Sequence, residues 1–536
     1  MATATRHASC LDRSEFRSGG YVPRRPETTP LYAALSAELE SFLARREQEE
    51  RALPRFVARE LRGYLVCGIL AHGFLRVRCP ACREERLVPF SCKGRGFCPS
   101  CGGRRMADTA AWLVDRVLPE VPVRQWVLTL PFALRYRLAY DAELTAAVLH
   151  EFLRAVFAGL RRRARRECGV PRGQCGAVVF VQRFGDALNL NVHFHALVLD
   201  GVYDARGEGR PEFHALGPPS DEELAGIAAR VTRRVARALT RRGLGPEEDA
   251  AATDPLAANE PWLAALAAAS AGNRQIVGPD AGRPLQRLGD RVDPEDLPTS
   301  TPLCVRVADV SLHTAVTIPA RDRHRLERLC RYVARPAVAS ERLAQLDDGR
   351  LVYRLKRRWR DGTAAFVFAP EEFVARLAAL VPPPRFHLVR YAGVLAPGAR
   401  LRARIVPEPA EGNSAGALVP EAGEGKGSDE MPVPASGAAV PARGADRALR
   451  CVPRARRQYP WAELMRRVFA VDVLECPRCH GPMRILAAIH PPDAAAAILE
   501  CLGLPARPPP AASARRPVRL FDPDPEWFRD PEWSRE

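Results

Sequence analysis

The stretch 189-NLNVHFHALVLD-200 decides how the centre of this chain is read. It is an apolar run that carries His193 and His195 two positions apart. Side chains alternate across a β-strand. Leu190, Val192, Phe194 and Ala196 therefore share one face, and Asn191, His193 and His195 share the other. Two imidazoles side by side, with an amide next to them, can hold a divalent metal. They can equally be a locally hydrogen-bonded pair on a strand that tolerates histidine. Just upstream, "GAVVFVQRF" (176–184) and a turn at "GDA" complete an antiparallel hairpin, with Gln182 on the partner strand.

Farther along, "RDRHRLERLCRYVAR" (321–335) reads as a helix stopped by Pro336. Leu326, Leu329, Cys330 and Val333 form its buried stripe. Tyr332 lies off that stripe and shares another face with Arg325, Arg328 and Arg335. A tyrosine framed by guanidinium groups is suited to meeting a phosphate; a surface tyrosine on a basic helix is the plainer alternative. The segment "YRLKRRWRDGT" (353–363) mixes Lys356, Arg357 and Arg358 with Trp359. Cations that follow a backbone and rings that stack on bases are the usual grip on single strands, against a solvated hairpin as the alternative.

The bulk composition agrees with an anionic partner. Lys+Arg of 80 against Asp+Glu of 63 leaves a net charge of +17, which points to nucleic acid or an anionic membrane surface. The lysines are Lys93, Lys356 and Lys426 alone, so the excess is carried by arginine. No apolar run reaches the roughly 18 residues of a membrane span, and "MATATRHASCLDRSEF" has no apolar signal core. A cytoplasmic location is expected. Neither a nucleophile elbow nor a Walker-type loop is present, which argues against a serine hydrolase or a nucleotide-binding enzyme.

Fifteen cysteines, an odd count in clustered spacing, favour metal ligation over disulfides. "CPAC" (Cys79, Cys82) and "CPSC" (Cys98, Cys101) are separated by fifteen residues, the spacing of a structural zinc ribbon. Cys67, His72 and Cys92 lie nearby and could make a second site or replace one ligand. Arg104 and Arg105 follow the second knuckle, so the ribbon is expected to touch phosphate. "CPRC" (Cys476, Cys479) is half a ribbon that His480, His490 or Cys501 could complete, or else a pair of structural thiols.

These signals divide the chain into a flexible N-terminus (1–28), a helical and zinc-ribbon DNA-binding domain (29–118) and a central sheet-and-helix domain (119–404) with an insertion or loop at 243–300. A disordered Gly/Pro/Ser/Glu linker (405–447), a small CxxC module (448–504) and a flexible tail (505–536) follow. The expected fold class is α/β (α+β), with a central antiparallel sheet, flanking helices and a zinc ribbon in front.

"NLNVHFHALVLDGVY", "SLHTAVTIPARDRHRLERLCRYVARP", "YRLKRRWRDGT" and "FSCKGRGFCPSCGGRRMADTAAWLVDRVLP" together resemble the rolling-circle transposases of the insertion sequence ninety-one family, of the His-hydrophobe-His (HUH) superfamily. The resemblance covers roughly residues 30–405 and extends to "CPRCHGPMRILAAI". It implies an HUH-type nuclease sheet, a metal on His193 and His195, and Tyr332 as nucleophile. It also implies a 5′-phosphotyrosine intermediate on single-stranded transposon ends or target DNA. Two-tyrosine members carry a second tyrosine one turn later; Pro336 stands there, so single-tyrosine chemistry fits this chain. For the third metal ligand His313 is the first choice and Gln182 the second. Zn²⁺ is the expected structural ion and Mg²⁺ or Mn²⁺ the catalytic one. A plasmid-type replication initiator or relaxase, and a non-catalytic zinc-ribbon DNA-binding protein, are the rival readings.

Overall fold

The computed structural model describes residues 24–206, 209–244, 254–290, 302–407, 459–469 and 472–515. At its centre lies the hairpin of Gly176–Phe184 and Leu190–Leu199, paired antiparallel in the register that sets Gln182 opposite His193 and Phe180 opposite His195. Gly185 makes the turn possible, since a Cβ there would sit 2.3 Å from Asn189 Oδ1. A seven-stranded sheet grows from this hairpin in the order Val389–Gly393, Gly176–Phe184, Leu190–Leu199, Val123–Thr129, Val310–His313, Cys304–Val307, with Thr317–Ile318 also pairing to Val123–Thr129. Its pairings are antiparallel.

The two faces of the sheet differ as the alternation requires. Leu190, Val192, Phe194 and Ala196 are fully buried in a core shared with residues of the helices Ala142–Cys168 and Asp221–Thr240. Both helices are well terminated: Asp141 caps the first, which ends at left-handed Gly169, and Ser220 with Glu223 forms a capping box on the second. On the opposite face Leu197, Leu199, Val178 and Phe180 pack with Pro99–Arg116 and Arg323–Val333. The histidines share that face but sit toward its other end.

A further core joins Pro30–Gln48, Arg55–Leu65 and Pro370–Leu380 to a four-stranded sheet of Leu343–Gln345, Leu351–Arg354, Thr363–Phe368 and Gln286–Gly289. The region 243–300 is thus partly built into the fold: the helix Pro261–Ala271 packs in this core and Gln286–Gly289 edges the sheet. Residues 245–253 and 291–301 lie outside the described residues. The fold is α+β, with mixed helices, antiparallel sheets and a Cys-rich N-terminal region.

The C-terminal module does not stand apart. Its strand Arg484–Ile489 pairs with Phe74–Arg78 and completes a three-stranded sheet with Glu85–Pro89. Residues 505–515, expected to be frayed, run along the first helix, where Ala512 N–H donates to Ser36 O and Arg515 N–H to Ser41 Oγ. Residues 408–447 of the expected linker, the first 23 residues and residues 516–536 lie outside the described residues. No described helix is long and apolar enough to cross a membrane.

Candidate nuclease site and cysteine clusters

His193 and His195 point their Nε2 atoms at each other, 3.1 Å apart. The far nitrogen of each ring is also held. His193 Nδ1 lies 2.9 Å from the Asn191 carbonyl, and His195 Nδ1 lies 2.7 Å from the Gln125 side-chain amide. Burial pushes the His193 imidazole down to about 4 and lowers His195 well below its ordinary range, with nearby Arg335 adding to both. Both rings are therefore neutral near pH 7, the form in which a ring nitrogen can ligate a metal.

Tyr332 reaches the same place from the helix Arg323–Val333. Its ring stands perpendicular to that of His195, with centroids 6.3 Å apart. The buried stripe Leu326, Leu329, Cys330 and Val333 seats the helix and leaves Tyr332 43% exposed. The Arg335 guanidinium lies 4.6 Å from the Tyr332 ring centre, and Lys356 Nζ lies 5.4 Å from it. Arg135 adds to the positive field at His193. Pro336 ends the helix against Gly102, where a Cβ would come within 2.6 Å of the proline ring.

The cysteines form two clusters of four. Cys67, Cys92, Cys98 and Cys101 make one; Cys79, Cys82, Cys476 and Cys479 make the other. Within the first, Cys67 Sγ lies 3.7 Å from both Cys98 Sγ and Cys101 Sγ, and Cys92 Sγ lies 3.4 Å from Cys101 Sγ. A tetrahedron of thiolates around zinc, with bonds near 2.3 Å, has an edge of about 3.8 Å. The expected single ribbon of Cys79, Cys82, Cys98 and Cys101 is corrected by this arrangement. Each CxxC knuckle finds its other two sulfurs elsewhere, Cys98 and Cys101 in Cys67 and Cys92, Cys79 and Cys82 at the far end of the chain. His480, His490 and Cys501 complete neither cluster; His480 Nδ1 instead meets Glu475.

Comparison with known families agrees with this layout. The family model described as "Transposase zinc-binding domain" matches residues 37–130, and the one described as "Putative transposase" matches residues 176–403. The chain is an IS91-like transposase. No curated protein and no solved structure matches it. The zinc-binding match encloses Cys67, Cys79, Cys82, Cys92, Cys98 and Cys101, so this transposase carries structural zinc and acts on DNA. The second match encloses His193, His195 and Tyr332.

The remaining expected site residues of the transposase divide sharply. His313 does not join the pair: Val127 stands between it and His195 in register, so their backbones lie two strand spacings, roughly 10 Å, apart. Among the described residues the three histidines do not gather within ligand reach. Gln182 does better. It faces His193 across the hairpin, and its Oε1 is buried with no hydrogen-bond partner. Trp359 is not a free stacking platform. Its ring packs edge-on against Phe366 at 5.2 Å and carries Arg287 at 5.9 Å, because the hairpin folds it onto the core. Lys356, Arg357 and Arg358 are exposed and line a groove of about 530 Å³ with Arg354, Leu288 and Leu346; Arg358 also pairs with Asp290. Arg325, Arg328, Arg104 and Arg105 are exposed too, and Arg105 donates to the carbonyls of Lys93 and Gly94.

Two residues at the site, Gln125 and Arg135, carried no readable signal, and neither did Phe132 beside Arg135. Gln125 and Arg135 come from separate elements whose register a local pattern cannot supply. Phe132, half exposed, lies under the Arg135 guanidinium just beyond the strand Val123–Thr129.

Proposed function

We propose that this transposase nicks and rejoins single-stranded DNA by the rolling-circle route of HUH enzymes, with Tyr332 as nucleophile. The observation that carries the reading is the meeting of Tyr332 with two Nε2 atoms that converge on one point. Two nitrogens bound in adjacent positions of an octahedral site, at about 2.1 Å each, lie roughly 3 Å apart, and the observed separation is 3.1 Å. The donor set therefore fits a divalent cation, held by His193 and His195 with Gln182 Oε1 as the third protein ligand. Mg²⁺ or Mn²⁺ bound there would polarise the scissile phosphate and absorb transition-state charge; imidazole suits Mn²⁺ better.

The side chains supply the rest. Neutral phenols are weak nucleophiles, and Arg335 and Lys356 flank the ring that must become anionic. The Tyr332 oxygen attacks phosphorus, the P–O3′ bond breaks, and the departing 3′ oxygen takes up a proton. The product is a 5′-phosphotyrosine, in which one phosphodiester has replaced another, so a target 3′-OH can reverse the exchange without a nucleotide cofactor. Gln125 acts as an orienting residue. With its amide oxygen turned to the ring, Gln125 would accept a hydrogen bond from His195 Nδ1–H and leave the His195 Nε2 lone pair free for metal. The groove beyond Lys356, cationic on an apolar floor, supports a path for the strand.

The test is a denaturing gel of the purified chain with labelled single-stranded DNA containing the element's own termini. A heat-stable adduct that needs Mn²⁺ or Mg²⁺ is expected. Its absence from wild type, with binding intact, would favour a protein that only holds DNA.

A further inference from the structure

The cysteine cluster made from both ends of the chain lies outside the nuclease site, and the zinc-binding family match, which stops at residue 130, takes in Cys79 and Cys82 but not Cys476 and Cys479. Its two knuckles, Cys79–Cys82 and Cys476–Cys479, are far apart in sequence, with 394 positions between Cys82 and Cys476. They are nonetheless built alike. In the first, Arg83 N–H donates to Cys79 O and Cys79 N–H to Glu84 O, at 3.0 and 2.8 Å. In the second, His480 N–H donates to Cys476 O and Cys476 N–H to Gly481 O, both at 2.9 Å. The residue after each second cysteine, Arg83 or His480, takes a left-handed conformation, φ 63° and 59°. An ordinary side chain adopts that conformation at some cost, and here it turns two thiols of each knuckle toward one point. Across the pair, Cys79 Sγ lies 3.5 Å from Cys479 Sγ and Cys82 Sγ lies 3.4 Å from Cys476 Sγ. These are close to the edges of a zinc tetrathiolate, and too long for disulfides.

What the cluster fastens is connected to the tyrosine helix. On the same C-terminal segment, the helix Trp461–Phe469 rests on Pro99–Arg116, with Leu464 buried against Ala107 and Ala111. Tyr459 O–H donates to Asp115 at 2.7 Å. Arg467 reaches two helices at once. It donates to Asp115 Oδ1 at 2.9 Å, and to Glu327 Oε2 at 2.8 Å and Oε1 at 3.1 Å. Glu327 sits in the helix of Tyr332 and pairs there with Arg331. The Arg467 and Glu327 side chains are 25% and 12% exposed, so this is a partly desolvated, multiply bonded contact rather than a loose surface pair.

We propose that Cys79, Cys82, Cys476 and Cys479 form a second structural zinc centre that fastens the C-terminal segment to the N-terminal domain, and that Arg467 on that segment positions the tyrosine helix through Glu327. The second half rests on the reading of Tyr332 as nucleophile; the first does not. Four sulfurs at these separations are the donor set of a zinc tetrathiolate, in which the cation holds all four as thiolates. Zn²⁺, closed on four sides, serves structure and leaves no position for substrate.

Metal content of the purified full chain tests the centre. Wild type should carry about two zinc ions per chain, one for each cluster. The double substitution Cys476→Ser, Cys479→Ser should carry about one and expose residues 461–501 to faster hydrogen exchange. One zinc in wild type, or two in the double variant, would overturn the centre. If the double variant does not fold, cobalt substitution of wild type gives the answer: two tetrathiolate equivalents support the centre and one contradicts it. Arg467→Ala then tests the positioning step with both zinc ions in place. Hydrogen exchange across 323–333 should quicken, and single-turnover adduct formation should fall roughly ten- to a hundredfold, as expected for a misplaced reacting group. DNA affinity should hold, and Arg467→Lys should recover part of the rate. Unchanged exchange and rate would overturn the positioning role. An adduct that survives Tyr332→Phe would refute the nucleophile while leaving the zinc count and the exchange result intact.

Discussion

The cysteine clusters and the histidine pair both gather side chains of metal-ligating type, and they differ in how finished they are. Each cysteine cluster is closed: four sulfurs face one another, and in Cys67, Cys92, Cys98 and Cys101 they sit within or beside the core around Phe97 and Tyr64. The histidine pair is open. Two nitrogens and a neighbouring unpartnered amide oxygen occupy one side, and the other side faces the exposed Tyr332. A closed site contributes to folding, whereas an open one leaves positions for a substrate. The cost of removing ligands should therefore fall on different observables in the two cases.

The largest effect is expected from Cys101→Ser. Structural zinc in small domains carries on the order of 10 kcal/mol of folding free energy, more than most domains have in reserve. The variant should lose zinc and give no cooperative melting of the N-terminal domain by calorimetry. By contrast, His193→Ala should keep its zinc content and nearly its melting temperature. Its metal-dependent adduct should drop by at least about a hundredfold, the scale of a lost metal contribution. A His193→Ala protein that unfolded would erase the distinction between closed and open sites.

A finer test lies one shell out. Gln125→Ala should weaken activation by Mn²⁺ about 10- to 100-fold, as losses of outer hydrogen bonds to metal ligands do, with the maximal rate recovered at high metal. Acid should act on the same rings. Their folded ionisation is depressed, His193 to about 4 against an ordinary 6.5. Between those values the unfolded chain binds protons that the folded chain refuses. Stability should therefore fall as the pH is lowered from 6.5 toward 4, and His193→Gln should flatten that slope in urea titrations. The smallest effect concerns the basic hairpin. Trp359→Ala should cost about 2–3 kcal/mol of stability, somewhat under a fully buried ring, without weakening DNA binding. Lys356→Ala should leave stability alone and reduce the salt dependence of binding by about one counterion.

These contrasts also show what the sequence could and could not reveal. The period-two alternation of residues 189–200 displays the histidine face, and the stripe on residues 321–335 displays Tyr332, because both patterns are local. Choosing between His313 and Gln182 required strand order. His313 is two strands away from His195, while Gln182 is opposite His193 in the hairpin itself. The knuckles were visible by their spacing, yet their partners were not. Thiols pair through space, and the pairing of Arg484–Ile489 with Phe74–Arg78 is what brings Cys476 and Cys479 beside Cys79 and Cys82. Trp359 misled for a related reason. A ring among arginines reads as a stacking platform until the turn places it on Phe366.

The most direct measurement is adduct formation by wild type and Tyr332→Phe on the element's own single-stranded termini, with and without Mn²⁺. A metal-dependent covalent band in wild type that is lost in Tyr332→Phe is expected. An adduct of equal yield in the variant would contradict the assignment of Tyr332 as nucleophile.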